Sequence, residues 1–118
     1  KIKELIRAEL HLLLKKGLGV NQVYSEYGMT ELLSQAYFTK DNVFHSPEWM
    51  KFLISDTEDP FNLQYEGRGV LNVIDLANID SCSFIQLQDA GRLNLDGTFE
   101  VLGRVDNTDI RGCNLMYL

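Results

Sequence analysis

The pentapeptide Tyr27-Gly28-Met29-Thr30-Glu31 gathers an aromatic ring, a bend, a hydroxyl and a carboxylate into one turn. Such a turn has the parts a nucleotide needs. Tyr27 can stack on a base, Gly28 lets backbone approach a phosphate, and Thr30 can be aimed at that phosphate. Glu31 can hold Mg²⁺, which takes one or two carboxylates and completes its shell with water and substrate phosphates. The plainer reading of the same residues is that Thr30 caps a helix and Tyr27 packs. Further along stand Gln88-Asp89-Ala90-Gly91, then Gly103-Arg104-Val105-Asp106, then Ile110-Arg111-Gly112-Cys113. An Asp89 at a strand end can accept both hydroxyls of a ribose. Arg104 can set a fixed cation near that ribose or its phosphate. Cys113 is a candidate nucleophile, since Arg111 and Arg104 can raise its thiolate fraction, although a free cysteine often only fills core space.

These residues need elements to hold them. Ile2, Leu5, Ile6, Leu10, Leu13 and Leu14 recur at helical spacing, which predicts a helix over 2–16 with Gly17 just past its end. Val20 to Tyr24 reads as a strand leading into the tyrosine turn, and Thr30 as the cap of a short helix. Beyond Pro47 the pattern changes to short strands, with Trp49–Ile54, Leu71–Leu76, Phe84–Leu87, Leu93–Leu95 and Phe99–Leu102 as candidates. Asp96-Gly97 between the last two predicts a two-residue hairpin turn. The expected fold class is α+β in one domain. A helix, strand and second helix over 1–43 precede a small, mostly antiparallel sheet or barrel over 44–118.

Composition narrows the function classes. The chain has 118 residues, 45% of them hydrophobic, enough for one modest core. Its net charge of −6 argues against a nucleic-acid partner, because phosphate backbones are met with clustered Lys and Arg. The charge is uneven: residues 1–16 are basic and the remainder strongly acidic, and the basic helix reads as a solvated face. No apolar run approaches the roughly 20 residues of a membrane span, and residues 1–16 lack the apolar block of a signal peptide. With two cysteines, Cys82 and Cys113, neither in a close-spaced pair, a structural zinc is not expected. A reducing, cytoplasmic setting is expected. Cys82 reads as structural, and His11 and His45 as surface or packing residues. The chain opens with Lys1, which reads as a piece of something longer.

Taken in order, the three blocks resemble the adenylate-forming superfamily, in which a Tyr-Gly-x-Thr-Glu turn, an acidic ribose contact and a Gly-Arg-x-Asp hinge follow one another. A narrower resemblance is carried by Ser25-Glu26-Tyr27-Gly28-Met29-Thr30-Glu31-Leu32-Leu33-Ser34-Gln35-Ala36-Tyr37, Asp75-Leu76-Ala77-Asn78 and Asp109-Ile110-Arg111-Gly112-Cys113. These are similar to the acyl-protein synthetases, which activate a carboxylic acid with ATP and carry the acyl group on a cysteine. The resemblance implies a fragment of the adenylate-forming fold and an enzyme using ATP and Mg²⁺ on a fatty or other carboxylic acid. It implies that Tyr27, Gly28, Thr30, Asp89 and Arg104 grip the nucleotide and that Glu31 meets the metal. Asp106 would be the hinge, with Thr30, Glu31 and Cys113 serving the chemistry. The sequence departs from the superfamily in two ways. No Gly/Ser/Thr-rich phosphate loop precedes Tyr27, and no lysine follows Lys51, so these residues alone are expected to be inactive. Two other functions fit the same residues: an acid-CoA ligase of the phenylacetate-CoA-ligase type, and a non-catalytic assembly module for an acyl-CoA reductase partner. A sheet cut from its parent is also expected to expose edges through which the fragment could dimerise.

Overall fold

The computed structural model describes residues 5–38, 43–105 and 110–111. One helix, α1 (Arg7–Leu18), is followed by nine strands: β1 (Glu26–Tyr27), β2 (Ala36–Phe38), β3 (Phe44–His45), β4 (Met50–Ser55), β5 (Leu63–Gln64), β6 (Gly67–Asp75), β7 (Phe84–Leu93), β8 (Phe99–Val105) and β9 (Ile110–Arg111). All form one sheet in the order β1-β2-β3-β8-β7-β6-β4-β5, with β9 also on β8. Every pairing is antiparallel. The small α+β architecture expected from the sequence is therefore present, with the sheet larger and the helical part smaller than predicted.

Five local expectations are corrected. Gly17 does not end the first helix but lies inside its last turn. The stop is Gly19, whose φ of 66° lets Val20 N–H fold back to Lys15 O at 3.2 Å. Val20–Tyr24 makes no strand, and pairing begins only at Glu26. Thr30 caps no helix: Leu32, Ser34 and Ala36 are buried while Leu33 and Gln35 are exposed, a period of two that belongs to extended chain. Phe84–Leu87 and Leu93–Leu95 are not two strands, because β7 runs unbroken to Leu93 and Leu95 sits exposed in the turn. That turn is also longer than two residues. Gly97 N–H closes on Asn94 O at 2.9 Å with φ of 83° at Gly97, and Asn94 N–H reaches Thr98 O. This is the bulged alternative to a two-residue loop.

The sheet rolls up. Phe52 of β4 and Phe99 of β8 are separated in the sheet by β6 and β7, yet their rings lie 4.0 Å apart. Tyr27 of β1 reaches the same two rings at 6.1 and 5.5 Å. Tight glycines permit the curl. Gly69 and Gly91 face each other across β6 and β7, and a Cβ on Gly91 would come within 2.7 Å of the Leu71 side chain. The rolled interior is an aromatic and aliphatic core centred on Phe44, Phe52, Leu71 and Phe99.

The open side of the roll is held by polar groups. The Asp75 carboxylate at the end of β6 is fully buried. It accepts from Ser34 N–H at 2.9 Å, Ser34 Oγ–H at 2.7 Å and Ala77 N–H at 3.1 Å. Trp49 Nε1–H donates to Ser34 Oγ at 2.9 Å, and Asn78 spans from Leu33 N–H to Glu31 O. Burial works to raise the Asp75 pKa, but the hydroxyl and amide of Ser34 and the amide of Ala77 outweigh it and hold the carboxyl below its usual range.

The helix is attached lightly. None of its residues is buried. The Arg7 guanidinium lies over Phe38 and Phe44 at 4.6 and 4.9 Å, and His11 Nε2 meets Ser25 Oγ at 2.8 Å. Burial first, then the charges of Arg7 and Lys15, push the His11 pKa below its ordinary 6.5.

Two outcomes follow. Asp75→Ala leaves the buried Ser34 donors unpaired and should lower the unfolding free energy by about 3 kcal/mol in urea titrations. Since folding depresses the Asp75 pKa, the wild-type contribution is complete above an unfolded-state value of about 3.9 and fades as pH falls through the folded one. His11 is also depressed, so docking of α1 should be complete above pH 6.5 and weaken below it. Hydrogen-exchange protection over Arg7–Leu18, corrected for intrinsic rates, should show this loss in the wild type and not in His11→Gln.

Candidate nucleotide site

Tyr27 ends β1 with its ring against Phe44, Phe52 and Phe99. Its hydroxyl donates to Asp89 Oδ2 at 2.6 Å, across 62 positions of sequence. Asp89 lies inside β7, not at a strand end as expected, and is paired in register with Arg104 of β8. Arg104 Nε stands 3.7 Å from Asp89 Oδ1, with its side chain 60% exposed over a carboxylate that is nearly buried. The rolling of the sheet brings these three residues together, because β2 and β3 separate β1 from β8 in the hydrogen-bonded order.

The electrostatics keep the proton on Tyr27. Burial, then the hydrogen bond to Asp89 and its negative charge, push the Tyr27 pKa far above the phenol range, against a smaller opposing pull from Arg104. Tyr27 is thus a fixed donor to the Asp89 carboxylate. A carboxylate has about four lone-pair positions, and these two partners leave some of them available.

Gly28, Thr30 and Glu31 follow on the exposed side of the turn and take no part in the Tyr27–Asp89–Arg104 contacts. A Cβ on Gly28 would meet the flexible Gln35 side chain at 3.1 Å. The Glu31 carbonyl is fixed by Asn78 Nδ2–H at 2.6 Å, which anchors the backbone and leaves the residue itself exposed. Among the described residues no group of three His, Cys, Asp or Glu side chains forms a metal cluster. Glu31 therefore fits Mg²⁺ only as a single carboxylate, with the other oxygens supplied by water and substrate phosphates. Cys113 and Asp106 lie outside the described residues. Cys82, read as structural, is exposed and free.

Compared with known proteins, the chain matches no family model, no curated protein and no solved structure.

The site therefore stands on its geometry. Tyr27, Asp89 and Arg104 bring a phenol, a nearly buried carboxylate and an exposed cation together. The packing of Tyr27 against three phenylalanines makes it a support for Asp89 as well as part of the core. No helix among the described residues is long and apolar enough to cross a membrane. Sequence reasoning missed the Asp75–Ser34 clasp as a structural device. Its available signals were the alternation at Leu32, Ser34 and Ala36, and an aspartate two residues before an amide it could cap, as in Asx turns.

Tyr27→Phe deletes the donor and keeps the ring, and should cost about 1 kcal/mol. Asp89→Ala, which strands the half-buried phenol, should cost more, about 2 kcal/mol. Chemical denaturation of both single variants and the double variant should show a coupling well above that of independent sites.

Proposed function

We propose that this chain is the nucleoside-gripping part of an ATP-dependent acyl-protein synthetase. The enzyme would activate a carboxylic acid of the fatty-acid class as its acyl-adenylate and pass the acyl group to Cys113 as a thioester. The observation that carries this reading is the Tyr27–Asp89–Arg104 contact. The three motif blocks that resemble the adenylate-forming superfamily meet there through side chains far apart in sequence.

A carboxylate is a poor electrophile at neutral pH. Its oxygen attacks the α-phosphorus of ATP, pyrophosphate leaves, and the acyl carbon becomes a mixed anhydride. A thiolate then attacks that carbon and AMP leaves. The barrier of the first step is mostly electrostatic. In this proposal Asp89 accepts the ribose hydroxyls, and Arg104 swings from Asp89 toward the ribose or phosphate. Tyr27 is a positioning residue that holds Asp89 in one rotamer through its O–H. Thr30 contacts the α-phosphate and Glu31 meets Mg²⁺, both from the exposed side of the turn. The phosphate loop and catalytic lysine implied by the resemblance would come from elsewhere in a longer chain, so the full-length protein is the object to test.

Incubated with ATP, Mg²⁺ and a panel of carboxylic acids, the full-length protein should gain an acyl mass increment. The increment should require ATP, map to Cys113, fall off with hydroxylamine and vanish in Cys113→Ser. Asp89→Ala should slow it at least about tenfold, the loss expected for one or two charged hydrogen bonds. AMP and acyl-CoA without any increment would assign an acid-CoA ligase instead. No AMP and no increment with any acid would leave the assembly module for an acyl-CoA reductase partner.

A further inference from the structure

A cleft of about 610 Å³ opens where the start of β6 meets the β7–β8 hairpin. Arg68 of β6 and Arg92 of β7 both line it and are direct register partners. Like charges directly opposite each other on an antiparallel pair destabilise it. This pair sits in a protein with a net charge of −6, where acidic partners are plentiful. Glu66 lies on the rim and Glu100 faces Arg92 from β8. Among the described residues, however, the one ion pair is that of Arg104 with Asp89, so neither guanidinium is neutralised at contact distance. Gln64 and Asn94 also line the cleft, and Leu95, 80% exposed, supplies an apolar edge.

We propose that this cleft binds a phosphate group held between Arg68 and Arg92. Two planar guanidinium forks match a dianion with three terminal oxygens, and each can donate two parallel hydrogen bonds to it. A singly charged carboxylate would leave one of the two guanidinium charges uncompensated. The volume lies in the range of small-molecule sites, about 300–1,000 Å³, so the cleft has room for the group that carries the phosphate. Leu95 favours a carrier with an apolar portion beside it. The proposal does not depend on the function proposed above. Arg92 projects from the exposed face of β7, whereas Asp89 lies on its buried face.

The test is a titration of the protein with inorganic phosphate and with pyrophosphate at constant ionic strength, following the arginine Nε–Hε signals by NMR. Acetate serves as the carboxylate control. Vesicles of phosphatidylcholine with and without phosphatidic acid form a second arm, which separates a lipid phosphate from a soluble one. Saturable shifts of Arg68 and Arg92, or vesicle binding that needs phosphatidic acid, are expected. Arg68→Gln or Arg92→Gln should weaken either about tenfold, the scale of one lost charge-assisted contact, while Glu66→Gln should tighten binding by removing a like charge from the rim. The unliganded Arg variants should be as stable as the wild type or more so, because an unfavourable pair is relieved. The proposal is overturned by shifts that do not saturate, by acetate acting as well as phosphate, by binding unchanged in the Arg variants, or by Arg variants that are less stable without ligand.

Discussion

The Asp75 carboxylate is the constraint on which the rest of this small fold depends. A sheet of nine strands with little helix to cover it must bury its apolar face against itself, which requires rolling, and a rolled sheet must be held where it does not close. In this chain the closing side is bridged by side chains. Asp75 at the end of β6 takes both donors of Ser34, and Asn78 takes the neighbouring backbone groups of Glu31 and Leu33. The arrangement is stable because the buried charge is met by three hydrogen-bond donors. A buried carboxylate without them would cost several kcal/mol or take up a proton.

That clasp also sets the aromatic core. With the segment before β2 pinned to β6, β1 is held across the mouth of the roll and Tyr27 lies over Phe52 and Phe99. The phenol then points at Asp89, and an ordinary packing residue becomes the support of a polar site. The tight Gly69–Gly91 pairing serves the same end. A side chain at either position would press on Leu71 or on the Ser55 backbone and open the curl that lets β4 meet β8.

How much of this was legible in the sequence depends on which force decided each segment. Strands whose own residues carry the pattern were visible: Trp49–Ile54 anticipates β4 and Leu71–Leu76 overlaps β6, because β-branched and apolar side chains mark them locally. The helix was visible but its end was not, since two glycines stood two residues apart and only the backbone bond to Lys15 chooses between them. The segment after Thr30 was misread because cap and helix-former residues outweighed an alternation whose meaning comes from Asp75, 41 positions away from Ser34. At the candidate site, Tyr27, Asp89 and Arg104 were each named from chemistry and resemblance. Their mutual contact was beyond the reach of spacing, because it depends on how far the sheet rolls.

The same geometry explains how one strand serves two polar regions. Along β7 the buried positions Leu87, Asp89, Gly91 and Leu93 alternate with the exposed or partly exposed positions Gln88, Ala90 and Arg92. A bulge at Ala90–Gly91 changes the register of pairing with β8 without disturbing that alternation. Asp89 therefore faces the interior, where the Tyr27 hydroxyl fixes its orientation. Arg92, three residues on, faces solvent beside Arg68, where water screens the repulsion between the two guanidiniums but leaves both forks available. Exchanging these two faces would bury an arginine without a partner and expose the carboxylate to water. The period of two that builds the core is thus also what keeps an acidic interior site and a basic exterior cleft apart on a single strand.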